Sequence, residues 1–271
     1  MNKTDKKFAI LIDADNISSK KIKPVLDEIA NYGIPTIKRI YGDFTNSKLA
    51  AWKDTLLENS IIPIQQYAYT AGKNATDAAL IIDAMDILHK EAVDGFCIVS
   101  SDSDFTRLAS RLRESGKEVL GFGEQKTPQP FVKSCDKFTY VEILGSETPA
   151  EETPQPQPTP SKTVKNSTKP ASATTKEKPA ADTTPPGIRS IDKKLKTLVR
   201  NAIDAVADDT GWVSLGMIGN LISKKMPDFD SRNYGYTKLS SLMKALGDVV
   251  ETKTQQTKGQ DSKQIYIRNK K

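Results

Sequence analysis

Phe8-Ala9-Ile10-Leu11-Ile12-Asp13-Ala14-Asp15-Asn16 begins as an unbroken apolar run and ends abruptly in two acids and an amide. Five consecutive apolar residues suit a strand covered on both faces, as in a parallel sheet between two layers of helices. Residues 18–32 follow as a helix, with Ile22, Val25, Leu26 and Ile29 at the i, i+3, i+4, i+7 positions of one face. Further along, β-rich runs at 36–41, 61–67, 96–100, 118–122 and 139–144 alternate with helical stretches at 47–59, 76–90 and 104–115. Gly33 and Gly116 stand where C-caps are expected, ahead of the next strand. Short connections between alternating strands and helices predict an α/β sandwich around a mostly parallel sheet. Ligands of such sheets bind at the carboxyl ends of strands, near the point where the strand order reverses.

The chain has 271 residues, room for two modest domains at about 100–200 residues each. With 37% hydrophobic and 27% charged residues it is neither collagen-like nor wholly disordered, and no run approaches the roughly 20 apolar residues of a membrane span. The short apolar run near the start meets Asp13, which argues against a secretory signal, so a cytoplasmic protein without a membrane partner is expected. Cys97 and Cys135 form no CxxC pattern, so neither a disulfide framework nor a zinc site is expected. His89 is the single histidine, which nearly excludes Ser-His-Asp, His-Cys and multi-histidine metal chemistry. Any catalysis here falls to carboxylates.

Residues 146–189 hold nine of the 15 prolines, no aromatic residue, and only Val164 and Ile188 as large aliphatics. That composition predicts a disordered Pro/Thr/Lys-rich linker between domains at 1–145 and 190–271. Lys and Arg number 19 against 20 Asp and Glu in the first domain, and 15 against 9 in the last. The basic excess of the whole chain, +6, therefore sits in the C-terminal part, as expected of a nucleic-acid tether.

Three acidic motifs fall on one edge of the predicted sheet. Asp13-Ala14-Asp15-Asn16 ends the first strand, Lys73-Asn74-Ala75-Thr76-Asp77 opens the third helix, and Ser101-Asp102-Ser103-Asp104-Phe105 follows the strand at 96–100. A plainer reading makes Asn16, Thr76 or Asp77, and Ser103 or Asp104 helix caps worth about 1 kcal/mol each. Capping needs one oxygen per helix, whereas Asp13, Asp77, Asp102 and Asp104 are expected to converge, with only Lys73 as a basic neighbour in the motifs. Clustered carboxylates repel unless a cation neutralises them. An oxygen-only set suits Mg²⁺ or Mn²⁺, and points to hydrolysis of a phosphodiester. Asp83 and Asp86 lie about 240° and 180° around the helix from Asp77, at about 100° per residue, and read as a solvated face.

In this order and spacing the three motifs resemble the NYN domains, PIN-like nucleases, over about residues 7–145. Gly121-Phe122-Gly123 matches a small-residue turn that often follows the family's fifth strand. The resemblance implies a PIN-like, Rossmannoid three-layer sandwich and a metal-dependent ribonuclease, endonucleolytic in many members. By motif match Asp13 is the strand-end metal ligand, Asn16 orients it, and Asp77 is the second ligand. Asp102 and Asp104 complete the catalytic cluster, one directly and one through water, with Asp15 a supporting residue or a cap.

The C-terminal part predicts helices at 191–206 and after Ser214, then at Phe229–Met243 a turn leading into a third helix, and a hairpin from 249–254 and 264–268 around a Lys-Gly loop. Three helices and a β-wing make a small winged-helix domain. Arg232-Asn233-Tyr234-Gly235-Tyr236-Thr237-Lys238-Leu239 matches the signature of the LOTUS, or OST-HTH, module. That resemblance covers about 191–268 and implies RNA as partner, or in some proteins another protein. Lys73, Lys238, Lys244, Lys253, Lys258, Lys263 and Arg268 are candidates for phosphates, and Tyr234 or Trp212 for stacking on an unpaired base.

The leading expectation is thus a ribonuclease held on single-stranded or structured RNA by a flexible tether. The 44-residue linker spans about 35–40 Å, letting both domains engage one RNA without a rigid interface. A non-catalytic RNA-binding adaptor, or a nuclease acting on DNA, keeps the same fold. An aspartyl-phosphate phosphatase of the haloacid dehalogenase type shares Asp13-x-Asp15, but Ile17 stands where those enzymes want Thr or Val.

Overall fold

A computed structural model describes residues 5–67, 75–145, 188–208, 210–256 and 263–270. The proposed linker at 146–189 lies outside them except for its last two residues. Six parallel strands form the N-terminal sheet: β1 (Lys7–Asp13), β2 (Ile34–Gly42), β3 (Ile62–Gln65), β4 (Gly95–Val99), β5 (Glu118–Gly123) and β6 (Lys137–Tyr140), in the order β3-β2-β1-β4-β5-β6. The order reverses between β1 and β4, which pair from Phe8 with Gly95 to Ile12 with Val99.

Pleating divides β1 between two cores. Phe8, Ile10 and Ile12 pack toward α1 (Ile22–Ile29) and α2 (Trp52–Asn59), against Val25, Ile29, Trp52 and Leu56. Ala9 and Leu11 face α3 (Ala75–Lys90), α4 (Thr106–Glu114) and α5 (Gln129–Ser134), against Leu80, Ala84 and Leu108. All of β1 except Lys7 is buried, as the unbroken apolar run requires.

The differences from the sequence reading have local causes. The helix expected at 18–32 begins as a 3₁₀ turn at Ser19–Lys21 and becomes α1 only at Ile22. Gly116 has the left-handed φ of +75° expected of a C-cap. Gly33 does not: a Cβ there would stand 2.2 Å from the Lys6 carbonyl oxygen, so backbone proximity accounts for it. Gly121-Phe122-Gly123 is no turn but the end of β5, where a Cβ at Gly121 would strike Phe138 and Cys135. Residues 139–144 divide into the end of β6 and a 3₁₀ turn at Val141–Ile143. Asp83 is not a solvated residue: it is ion-paired with Arg39 and accepts from the Tyr41 hydroxyl, both on β2. Asp86 does lie on the exposed face, paired with Lys90.

The C-terminal domain consists of α6 (Lys193–Asp204), β7 (Val213–Ser214), α7 (Leu215–Lys225), α8 (Leu239–Ala245), β8 (Val250–Gln256) and β9 (Lys263–Asn269). Asp192 caps α6 by accepting from the Leu195 amide at 2.8 Å, and Ser214 caps α7 through the Met217 amide at 3.4 Å. The wing gains a strand over the expected hairpin, since β7 pairs antiparallel with β9.

The two domains touch, contrary to a tether without an interface. Edge strand β6 donates its Phe138 amide to the Pro227 carbonyl at 2.9 Å. Tyr140 and Arg189 both donate to the buried Asp228 carboxylate, at 2.9 and 3.0 Å, and the Arg189 guanidinium lies 5.0 Å from the Tyr140 ring centre. Arg232 grips Glu28 of α1 with two hydrogen bonds, at 2.9 and 3.0 Å. Burial alone would raise the Asp230 carboxyl, but the Arg232 hydrogen bonds more than offset it and hold it below its ordinary range. The docked domain thereby lies against the β6 edge of the sheet.

Candidate active site

The carboxyl ends of β1 and β4 are neighbours at the reversal of strand order, so the residues following each strand share one rim. Asp13 is the last residue of β1, Asp102 and Asp104 follow β4, and Asp77 lies in the first turn of α3. Asp77, Asp102 and Asp104 each place a carboxylate oxygen within 4.8 Å of the others. Asp102 and Asp77 are half-buried and Asp104 is exposed. Asp102 also performs the plainer role of a cap, accepting from the Asp104 amide at 2.9 Å. That bond fixes the Asp102 side chain within the turn that also carries Asp104.

Asp13 belongs to the layer beneath. It is 1% exposed and not among the three carboxylates that meet. Its oxygens accept from Ser100 Oγ at 2.7 Å, Asn16 Nδ2 at 2.6 Å and the Asp15 amide at 3.2 Å. Burial raises its pKa from the ordinary carboxylate value by more than these hydrogen bonds lower it. Asn16 thus sits where an orienting neighbour belongs. Asp15 is exposed, beside a shallow cavity of about 360 Å³ shared with Asn16, Lys48 and Trp52.

Ser100 carries a function that sequence reasoning missed. Its hydroxyl donates to Asp13 and accepts from the Asp102 amide at 3.0 Å, coupling the two strand ends. A serine closing an apolar strand gives little signal of that role.

Like charges crowd the rim. Partial burial first, then the charges of Asp13, Asp102 and Asp104, push the Asp77 carboxyl up to about 6. Among the described residues no lysine or arginine forms an ion pair with Asp13, Asp77 or Asp102. A hard, oxygen-only set under mutual repulsion fits a divalent cation such as Mg²⁺ or Mn²⁺.

The nucleic-acid candidates fare unevenly. Lys73, Lys258 and the side chain of Lys263 lie outside the described residues. Tyr234 is not available for stacking: it is 8% exposed and packs in the C-terminal core, its ring 6.3 Å from that of Phe229. Lys238, Lys244 and Lys253 are exposed. Arg268 pairs with Glu251 and lies 4.7 Å from the Trp212 ring centre, so it already covers the other candidate aromatic.

Comparison with known proteins follows the same division. A protein of unknown function, VPA0982, from Vibrio parahaemolyticus is 19% identical over 51% of this chain and 94% of its own, with a TM-score of 0.43. An uncharacterized protein from gene locus NE0665 of Nitrosomonas europaea is 38% identical over 35% of this chain and 89% of its own, with a TM-score of 0.28. Among curated proteins none matches. The family model of the NYN domain matches residues 7–144, just over half of the chain, and that of the OST-HTH/LOTUS domain matches 188–261. The chain belongs to the NYN domain family, with an OST-HTH/LOTUS domain following in the same polypeptide.

Proposed function

We propose that the chain is a metal-dependent ribonuclease that cuts single-stranded RNA internally while its LOTUS domain holds the same molecule. The observation that carries this reading is the meeting of Asp77, Asp102 and Asp104 within 4.8 Å at the switch point of a parallel sheet. In this reading those three carboxylates hold Mg²⁺ or Mn²⁺. Such an ion, when bound, offsets charge on a phosphoryl oxygen and makes a water more acidic. The chain's own residues set up the rest. Asp13 stays buried under Ser100 and Asn16, adding negative charge below the rim and, through Ser100, fixing the backbone that presents Asp102. Asp104, the most exposed of the three, is the one best placed to meet substrate or a water beside it.

The test is cleavage of a labelled single-stranded RNA with Mn²⁺, with EDTA, and with the Asp102→Asn variant. Mn²⁺-dependent cleavage that EDTA abolishes and Asp102→Asn lowers by at least about 100-fold is expected, the scale on which one electrostatic contributor acts. Cleavage unchanged by the substitution removes the catalytic assignment. A parallel single-stranded DNA separates the sugar preference.

A further inference from the structure

A groove of about 1180 Å³ runs along the seam between the two domains. Arg113 and Lys133 line it from α4 and α5, while Arg189, Lys194, Lys224 and Lys225 line it from the segment before α6, from α6 and from α7. The acids beside them are occupied. Asp136 accepts from Arg113 and the Val119 amide, Asp192 caps α6, and Asp228 accepts from Tyr140 and Arg189. Lys133, Lys194, Lys224 and Lys225 remain exposed, with no ion pair among the described residues.

Local structure accounts for some of this charge but not all. Lys133, Lys224 and Lys225 stand in the last turns of α5 and α7, where a cation complements the helix dipole. Lys194 stands in the first turn of α6, at the positive end, where the helix dipole gives a cation no support and the Asp192 carboxylate is engaged as the cap.

The groove also has a path to the acidic rim. It opens at the amino edge of the sheet, since Asp136 binds Val119 near the start of β5 and Arg113 lies in the last turn of α4. The rim is at the carboxyl edge. Nine-residue α4 bridges the two, about 14 Å long at 1.5 Å per residue, with Asp104 just before its start and Arg113 in its last turn. Alongside it, α5 packs against the Ser103–Phe105 turn and contributes Gln129 and Lys133 to the groove.

We infer that the seam groove is a phosphate-binding track for single-stranded nucleic acid, a few nucleotides away from the bond presented to the rim. This rests on the ribonuclease reading for the identity of the polymer, because a nucleic acid strand has a reason to touch both places. An acidic polypeptide satisfies the lysines but gains nothing at a carboxylate rim. The track lies on the α6 and α7 side of the LOTUS domain, not on the third helix and wing where the sequence placed the contacts.

The experiment uses the full chain in EDTA, which holds cleavage off, and a labelled single-stranded RNA of about 16 nucleotides. Combined Lys194→Glu, Lys224→Glu and Lys225→Glu is expected to weaken binding at least about tenfold. The slope of log affinity against log salt should become shallower by about 2, three phosphates at about 0.7 each. The same three positions changed to Gln, with an unchanged thermal melt, should shift both readings in the same direction by less. Affinity and salt slope equal to wild type in both variants overturn the track, and so does polyglutamate binding more tightly than RNA at these lysines. If the groove variants lose binding but no RNA is ever cut, the track stands and the ribonuclease reading falls. If the rim cuts and the variants bind normally, only the track falls.

Discussion

At the scale of residues, what organises the rim is the position of each acid relative to a strand end or helix start. Asp77, Asp102 and Asp104 were legible as neighbours because each stands at a helix start or just past a strand, so its side of the sheet could be read without coordinates. Asp13, expected as a fourth ligand, is buried and is not among the three that meet. Ser100 was not legible, since its importance depends on Asp13 and Asp102 approaching it from two strands. Ser100→Ala is expected to lower Mn²⁺-dependent cleavage by about 10–100-fold, the usual effect of removing a group that orients metal-binding residues. An equal loss is not expected for Asp86→Asn, whose carboxylate only pairs with Lys90 on the helix exterior. The raised pKa of Asp77 gives a pH signature. Its folded value of about 6 lies above the ordinary 3.8, so without metal this group's contribution to stability falls as pH rises from about 4 through about 6. A cation that neutralises the cluster removes that penalty where the penalty exists. The rise in melting temperature on adding Mn²⁺, read by thermal denaturation, should therefore be larger at about pH 7.5 than at about pH 5. A larger rise at the lower pH would contradict the assignment.

Elements were legible in proportion to their length and burial. The run at 8–12 predicted β1 because both of its faces are covered, and α3 was visible as a long apolar stripe. By contrast α5 was missed: Gln129-Pro130-Phe131-Val132-Lys133-Ser134 is too short to show a helical period. The glycines of β5 were misread as a turn because their reason is tertiary and invisible in local sequence: Phe138 crowds Gly121, and the Ser100 carbonyl crowds Gly123. The two-core division of the sheet has a measurable consequence. Leu11→Ala empties a position that is 0% exposed between β1 and α3 and should cost about 2–5 kcal/mol in chemical denaturation. Ile82→Ala, on the same helix but 65% exposed, should stay within about 0.5 kcal/mol.

For the whole molecule, composition located the basic half and the break between the halves, but not the contact between them. Glu28 and Arg232 are far apart in sequence, and nothing in either neighbourhood announces that they meet. The signature that marks the LOTUS domain also supplies Arg232, so part of it serves here to hold the NYN domain. Removing that grip with Arg232→Ala should loosen the cover over β6. Hydrogen exchange at the Phe138 amide, now bonded to the Pro227 carbonyl, should then accelerate by about tenfold or more, while exchange in β1 and β4 stays slow. Such docking sets the LOTUS domain against one side of the NYN domain, and in the proposed reading RNA would reach the rim along the surface they share.

The most direct measurement of the central claim is calorimetric titration of the metal-free chain with Mn²⁺, alongside Asp77→Asn and Asp104→Asn. Saturable binding by the native chain, weakened at least about tenfold in each variant, is the predicted result. Equal affinity in all three proteins would mean that these carboxylates do not share an ion, and the hydrolytic reading would go with it.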